Sequence, residues 1–202
     1  EGIQTLKHWL NDHLDGSADG GVANIQIGST GMKMDTIRAG EEGEGKWLMT
    51  SYAPWVGHAM TVVGWNDFVR WDYNGDGEYT NDVDLNEDGI IDVRDWENGA
   101  FIVVNSWGAG WGSKGRVFVP YRLFALSNWD GGIWQKCATV MRPLKEYKPK
   151  LTYKFGITYT KRSQLKIVAG VAQNTGASRP EKVIQYPFFN YLGGTIPMQG
   201  IE

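Results

Sequence analysis

Two stretches of this 202-residue chain combine residue types that can do chemistry. The first, AFIVVNSWGAGWGSKG, runs from Ala100 to Gly115, and in it a run of β-forming residues leads into an asparagine, two tryptophans and four glycines. Glycines let the backbone turn tightly, so the large aromatic side chains between them can be held over a neighbouring group. The second is the segment 72–95, whose alternating Asp and Asn side chains offer oxygen atoms to a hard cation.

Residues 84–95 fit the calcium-loop pattern, in which oxygen ligands at alternate positions converge on one ion because a glycine lets the chain turn sharply. The segment 72–95 holds nine carboxylates against a single arginine, Arg94, and their mutual repulsion favours a bound cation. Asp95 replaces the usual glutamate, so its reach is shorter. The pattern assigns the side chains of Asp84, Asn86, Asp88, Asp92 and Asp95 and the carbonyl of Ile90 as ligands, with Gly89 at the turn.

A weaker copy of the same pattern begins twelve residues earlier, and its ligands would be Asp72, Asn74, Asp76 and Glu78, with Gly77 at the turn. Its closing position is Val83, so either Asp82 or Asp84 is left to close it, Asp84 then being shared between two ions. We therefore predict one or two structural calcium ions, the alternative being a solvated acidic loop. The segment is expected to brace a surface loop, and direct catalysis by the metal is not expected.

His58 lies in VGHAMTVVGW, residues 56–65, upstream of NSWGAGWGSKG at residues 105–115. A lone histidine on a strand is most often a satisfied core residue. Together, however, the two stretches resemble the papain-like (C1) cysteine peptidases, in which a strand bearing the catalytic histidine precedes a strand that ends in Asn-Ser-Trp-Gly-x-x-Trp-Gly-x-x-Gly. The resemblance covers about residues 1–142, which correspond to the second half of such a domain.

The resemblance implies roles for four residues. A thiol with an ordinary pKa near ~8.5 is mostly protonated at neutral pH, so this chemistry needs an imidazolium partner that holds the thiolate. His58 is implied as the base and later the acid, and Asn105 as the acceptor that fixes the tautomer and plane of its ring. Trp107 is implied as the indole that shields this hydrogen bond from water, and Trp111 as a second wall.

The nucleophile of that family lies roughly 130–150 residues before the histidine and asparagine. The resemblance therefore places it upstream of residue 1, together with the donor side chain of the oxyanion hole. The chain is expected to be the C-terminal part of a peptidase and to be inactive alone. Its single cysteine, Cys137, lies in a strand-like run with no predicted helix start to activate the thiol, and we interpret it as a small core residue.

The elements that must position these residues form an α+β pattern. Ile3, Leu6, Trp9, Leu10 and Leu14 recur at helical spacing, and Gly16 is the predicted stop. Residues 28–56 carry little periodicity and are predicted to be mostly loop. The order predicts a helix followed by an antiparallel sheet, with strands at residues 21–28, 58–65, 100–104 and 115–121.

The pattern of apolar and polar residues changes after residue 147. Residues 151–159 alternate apolar and polar side chains and predict a half-buried strand, followed by a turn at 160–163 and a second strand at 165–172. Pro180 and Pro187 interrupt the strand pattern beyond residue 172. We predict a papain-like half-domain over residues 1–147, with the acidic insertion at 72–95, and the start of an incomplete β-sandwich-like accessory domain over 148–202.

Composition limits the partners. The net charge of −3 gives no reason to expect nucleic acid, and no apolar run is long enough to span a membrane. The expected partners are a protein or peptide substrate, the upstream half of the same domain, and a surface or glycan partner for the C-terminal region. Millimolar calcium outside cells suits the acidic loops, so an extracellular or cell-surface location is expected.

Two other functions fit the same residues. One is a papain-like peptide-binding protein in which the upstream cysteine is replaced and the cleft is kept. The other is a calcium-dependent adhesion or scaffold module. Tandem loops also occur in dockerins, which bind cohesins, but the starts at Asp72 and Asp84 are too close for the helix that separates dockerin loops.

Overall fold

The structure is a computed structural model that describes residues 1–142, 148–159 and 164–186. The chain divides into two compact units, Glu1–Pro143 and Leu144–Glu202. The first contains a helix and a five-stranded sheet, and the second contains a two-stranded sheet. The fold is therefore α+β, as the order of elements predicts.

Helix α1, Gly2–Asp12, packs one apolar stripe against the core of the first unit, burying Ile3, Leu6, Trp9 and Leu10. The Trp9 indole donates to the Val22 carbonyl at 2.9 Å, which ties the helix to the chain entering the sheet. The helix ends before the predicted Gly16, because His13 and Leu14 take left-handed backbone conformations with φ of 55° and 62°.

The sheet is formed by β1 Ala23–Thr36, β2 Trp47–Arg70, β3 Asn98–Val104, β4 Arg116–Pro120 and β5 Ala138–Thr139. Its order is β3-β4-β2-β1-β5, and β3 pairs with β2 as well as with β4, so the sheet curls. Its pairings are antiparallel except for one parallel bridge between Leu48 and Phe118. The sheet is thus mixed, where the sequence predicts an antiparallel one. Helix α2, Arg122–Ala125, follows β4.

The prediction of a loop over residues 28–56 is wrong, because β1 and β2 continue as a long hairpin through this region. Met34 pairs with Met49, and Thr36 pairs with Trp47. The glycine and glutamate cluster at 40–45 belongs to the short connection between the strands. The alternation of side chains is interrupted where both strands bulge, which is why the pattern resembles a loop.

One of these bulges lies directly before His58. Ile27 on β1 pairs with His58, but the next residue, Gly28, pairs with Ala53, so residues 54–57 bulge out of β2. A Cβ at Gly28 would lie 2.0 Å from the Ala53 carbonyl oxygen, so only glycine fits this close approach. The bulge ends where regular pairing resumes, and it thereby fixes the position of His58.

The second unit contains β6, Val168–Val171, paired antiparallel with β7, Lys182–Gln185. The predicted strand at 165–172 is therefore present but shorter. Residues 151–159 form no regular element and their apolar side chains are exposed, because no strand in the described part of the chain pairs with them; the predicted half-buried strand is wrong here. The predicted turn at 160–163 and Pro187 lie outside the described residues.

The structure describes this one pair of strands in the second unit and not a β-sandwich. Throughout the described ranges, no helix is both long enough and apolar enough to cross a membrane.

Candidate active site

His58 and Asn105 are hydrogen-bonded, with 2.9 Å between the imidazole Nε2 and the amide Oδ1. His58 lies on β2, and Asn105 directly follows the last residue of β3, Val104, which pairs with Thr61 on β2. Adjacent strands lie about 4.8 Å apart. Pairing of β2 with β3 therefore brings together two residues that are 47 positions apart in sequence.

The surroundings of Asn105 fix the tautomer of His58. Asn105 Oδ1 also accepts the Ser106 backbone N–H at 2.8 Å, and a backbone N–H can only donate. The atom facing both partners is therefore the amide oxygen, and His58 Nε2 must carry the hydrogen in their shared bond. No hydrogen bond from the described residues occupies Nδ1, which is left as the nitrogen that can take a proton.

Trp107 covers one face of the His58 ring. Its indole stacks on the His58 imidazole with ring centroids 4.9 Å apart and an interplanar angle of 24°. Trp111 meets Trp107 edge-on at 5.8 Å and packs against the core, so it holds Trp107 in place. Asn105 is 5% exposed, whereas Trp107, on one face of the His58 ring, is 50% exposed. A hydrogen bond to a buried atom is stronger than one in contact with solvent.

The glycine-rich loop after Asn105 closes on itself. The Asn105 N–H donates to the Gly115 carbonyl at 3.0 Å, and the Gly115 N–H donates to the Trp111 carbonyl at 2.7 Å. Gly112 has a φ of +55°, and a Cβ there would lie 2.5 Å from the Arg116 carbonyl oxygen. The backbone thus turns beneath the two indoles, as the spacing of the glycines predicts.

Asn105 also carries a buried polar atom, its amide nitrogen. Its amide Nδ2 makes no hydrogen bond to any part of the chain that the structure describes. Buried polar groups in folded proteins are mostly hydrogen-bonded to protein or to ordered water, and each exception calls for an explanation. Here the oxygen of the same amide orients an imidazole, which is a reason to keep Asn at this position.

Cys137 is separate from this site. It is exposed, so its interpretation as a core residue is wrong. The predicted strand is broken because Gln135 and Lys136 take left-handed conformations, with φ of 53° and 55°. The next residue, Ala138, pairs with Ile25 on β1. Since β1 lies between β5 and β2, Cys137 is two strand spacings, about 10 Å, from the strand that carries His58.

The second predicted calcium loop, residues 84–95, is folded around its own side chains. Asp84 accepts the Gly89 N–H at 2.8 Å, and Asn86 accepts the Asp88 N–H at 2.9 Å. Asp95 is fully buried and accepts three backbone N–H groups, those of Leu85, Asn86 and Asp92. Asp88 accepts the N–H of Ile90, whose side chain is exposed.

The first loop repeats this network twelve residues earlier, with Asp72 accepting the Gly77 N–H at 3.1 Å, as Asp84 accepts that of Gly89. Asn74 likewise accepts the backbone N–H of Asp76, and Asp76 accepts that of Glu78 at 2.7 Å.

The residue that closes this first loop is Glu97, which sequence reasoning missed. Glu97 is 2% exposed, and its two oxygens accept the N–H groups of Tyr73 at 2.8 Å and Thr80 at 2.9 Å. Tyr73 follows Asp72 as Leu85 follows Asp84, so Glu97 serves the first loop as Asp95 serves the second. Among the described hydrogen bonds neither Asp82 nor Asp84 takes this place, because Asp84 bonds within the second loop and Glu97 reaches back from the residue before β3.

Arg94 is the counter-ion of the second loop. Its guanidinium lies 2.5 Å from Asp88 and 2.8 Å from Asp92. Hydrogen bonding to Arg94 lowers the pKa of Asp92, and the same contact raises that of Arg94. No group of three or more His, Cys, Asp or Glu side chains in the described ranges is gathered as a metal site. Calcium binding therefore stays a prediction.

Comparison with known proteins adds no function to this geometry. The chain matches no protein-family model, no curated protein and no solved structure. The chemistry open to the site rests on its own contacts: an imidazole of fixed tautomer, an amide that orients it, and an indole that stacks on the imidazole.

Proposed function

We propose that this chain carries the base and the orienting amide of a cysteine-type peptidase, whose nucleophilic cysteine is supplied from outside this sequence. The observation that carries the proposal is the 2.9 Å hydrogen bond from His58 Nε2 to Asn105 Oδ1 beneath the Trp107 indole. A structural histidine needs neither a fixed tautomer nor a free second nitrogen. A general base needs both.

The first half of the reaction forms an acyl-enzyme. His58 Nδ1 takes the proton of the thiol, and the thiolate attacks the carbonyl carbon of the substrate peptide. The C–S bond forms as the carbonyl π electrons move to oxygen. When they return, the C–N bond breaks, and the imidazolium gives its proton to the leaving amine.

The second half releases the product. Water attacks the thioester carbonyl while His58 Nδ1 takes its proton, and collapse of the intermediate expels the sulfur, which regains that proton. Throughout both halves Asn105 holds the ring in one plane, so that the same nitrogen faces each reacting atom in turn.

The residues of the acidic segment fit a structural calcium ion, which we include in the proposal. Carboxylate and amide oxygens at alternate positions are the donor set that calcium prefers. The buried carboxylates of Asp95 and Glu97 accept only backbone N–H groups among the hydrogen bonds described, and such buried charges favour a nearby cation. The ion would stabilise this segment and take no part in peptide cleavage.

An extracellular or surface-attached peptidase would meet millimolar calcium, which suits loops of this kind. Its partners would be a protein or peptide substrate and the segment that supplies the cysteine. The region from residue 148 onward would bind a surface or glycan partner.

The test uses the full-length protein that contains this chain and a mixture of fluorogenic peptides. His58→Ala should abolish cleavage, and Asn105→Ala should lower kcat/KM by about 10- to 100-fold, the same range as for loss of a group that orients a metal-binding histidine. A thiol-directed covalent inhibitor should block the wild-type enzyme. His8→Ala, at an exposed position on α1, is the matched control and should leave cleavage unchanged.

Two results would count against the peptidase. Cleavage that survives His58→Ala would remove His58 from the reaction. A protein that binds peptides but cleaves none, with no thiol to label, would be the inactive binding protein instead.

A further inference from the structure

Two large aromatic side chains lie exposed and in mutual contact close to the candidate site. Trp55 is 76% exposed and Trp129 is 65% exposed. Their rings meet edge-to-face, with centroids 5.1 Å apart and an interplanar angle of 78°. Single exposed aromatics are common on protein surfaces, but a contiguous exposed aromatic patch marks an interaction site.

The backbone that carries this pair is firmly anchored. The Asn128 side chain donates to the Pro54 carbonyl at 2.9 Å, joining the segments that precede the two indoles. The Tyr52 N–H donates to the Gly131 carbonyl at 2.8 Å. A Cβ at Gly131 would lie 2.4 Å from the Ser51 hydroxyl, so the turn after Trp129 packs directly on β2. A surface that is already ordered loses little entropy when it binds a ligand.

The position of the pair relates it to His58. Trp55 lies in the bulge of β2, three residues before His58, and an extended chain covers about 10 Å in three residues. On the other strand, Trp107 stacks on His58 and is itself half exposed. The backbone positions of Trp55 and His58 are therefore no more than about 10 Å apart.

We propose that the Trp55–Trp129 pair is a specificity wall that binds a bulky apolar side chain of the substrate, within about three residues of the cleaved bond. This inference rests on the proposed peptidase function. The occupant is a peptide side chain because the pair adjoins the candidate base. The edge-to-face arrangement also makes an angled corner, which suits an aromatic or branched aliphatic group better than the flat face of a sugar ring.

The test is a matched peptide series with the full-length enzyme. The peptides have one length and sequence and differ only in carrying Phe, Leu or Ala at each of the three positions on either side of the cleaved bond. At one position wild type should prefer Phe or Leu over Ala by about tenfold or more in kcat/KM. Trp55→Ala and Trp129→Ala should each remove most of that preference and leave the Ala peptide almost unaffected.

Phe68→Ala is the control for loss of an exposed aromatic group. Phe68 is 78% exposed and lies ten residues after His58 on the same strand. This variant should keep the full preference. Thermal unfolding of the variants shows whether Trp55→Ala or Trp129→Ala has disturbed the fold, and either one alone suffices for the test.

The outcomes separate this inference from the peptidase proposal. Suppose that His58-dependent cleavage is present. If the preference for Phe or Leu over Ala persists in both tryptophan variants, or if all peptides lose activity equally, the Trp55–Trp129 wall is wrong and the peptidase proposal stands. If wild type cleaves nothing, binding of the same peptides to His58→Ala protein, read by fluorescence anisotropy, decides the wall separately. A Phe-over-Ala affinity ratio that Trp55→Ala abolishes supports it. Equal affinities, or an oligosaccharide that alone responds to Trp55→Ala, overturn it.

Discussion

The Trp107 indole lies parallel to the His58 imidazole to within 24°, with their ring centroids 4.9 Å apart. The contact covers one face of the ring, whose Nε2 is hydrogen-bonded to buried Asn105. A stacked aromatic ring also restricts rotation of the imidazole about its side-chain bonds. The indole therefore limits the directions in which Nδ1 can point.

Replacing Trp107 should expose that hydrogen bond to water. In wild type the His58 Nε2 proton should give an NMR resonance that exchanges slowly, because the donor is bonded to a buried oxygen. Trp107→Ala should speed its exchange with water and lower kcat/KM by about tenfold, the low end of the range for loss of a group that orients a metal-binding histidine. The measurement is proton exchange at that resonance together with peptidase kinetics.

Trp107→Phe is the conservative variant, since a phenyl ring can keep the stacking contact. It should restore most of the slow exchange. An exchange rate that is the same in wild type and Trp107→Ala would show that the indole does not shield the pair.

The motif at residues 105–115 and the strand before it were predictable because both are local. The β-forming run of β3 and the glycines next to the indoles lie in one continuous stretch of sequence. Pairing of β3 with β2 then brings Asn105 to His58. The β1–β2 hairpin was missed because its bulges at Gly28 and residues 54–57 interrupt the period of two. Close approach of two backbones leaves no mark in sequence except a glycine, and this chain has many glycines.

Glu97 was missed for a different reason. The calcium-loop template looks for its closing acid twelve residues after the start, and Glu97 lies 25 residues after Asp72. Glu97 reaches the first loop only because the second loop lies between that loop and Glu97 in the sequence and returns the chain to the start of β3. Cys137 shows the converse, since a sequence with strand-like composition turns at Gln135 and Lys136 and leaves the thiol exposed.

Glu97→Gln should destabilise the protein. One carboxylate oxygen that accepts the Tyr73 or Thr80 N–H would become an amide NH₂, which places two donors face to face in a buried site. The loss should be about 1–3 kcal/mol of unfolding free energy. Chemical denaturation of the full-length protein measures it.

Asp82→Asn is the control for Glu97→Gln, because Asp82 is exposed and sits in the position from which the sequence predicts closure of the first loop. It should change the unfolding free energy by less than about 0.5 kcal/mol, as for other surface substitutions. A larger effect of Asp82→Asn than of Glu97→Gln would return the closing role to Asp82.

Calcium should raise the thermal unfolding temperature of the full-length protein, and a chelator should reverse the rise, because a ligand that binds only the folded state stabilises it. Terbium, which takes the same oxygen ligands, should show luminescence sensitised by Trp96, which directly follows Asp95. Asp84→Asn should weaken both effects. Peptide cleavage at temperatures well below unfolding should survive chelation.

Arg94→Ala provides a second test of calcium binding. Arg94 contacts Asp88 and Asp92, two of the proposed ligands, so its removal takes away an internal counter-ion and should tighten terbium binding. If terbium does not bind to either protein and the chelator has no effect on unfolding, the acidic segment is held by Arg94 and backbone hydrogen bonds alone.

Asp67 should make stability depend on acid pH. Burial alone would raise its pKa, but hydrogen bonds from Lys7 and from the Tyr121 hydroxyl, the latter at 2.7 Å, outweigh burial and lower the pKa below its ordinary value of 3.8. A carboxyl whose pKa is lower in the folded state contributes stability that is fully present above its unfolded pKa. That contribution is lost as the pH falls through the folded pKa.

Asp67→Asn should therefore be less stable than wild type at pH 7, with the difference shrinking as the pH falls below 3.8. Urea unfolding across this range checks it, with exposed Asp35→Asn as the control, and a difference that stays constant into acid would show that Asp67 acts through packing and not through its charge.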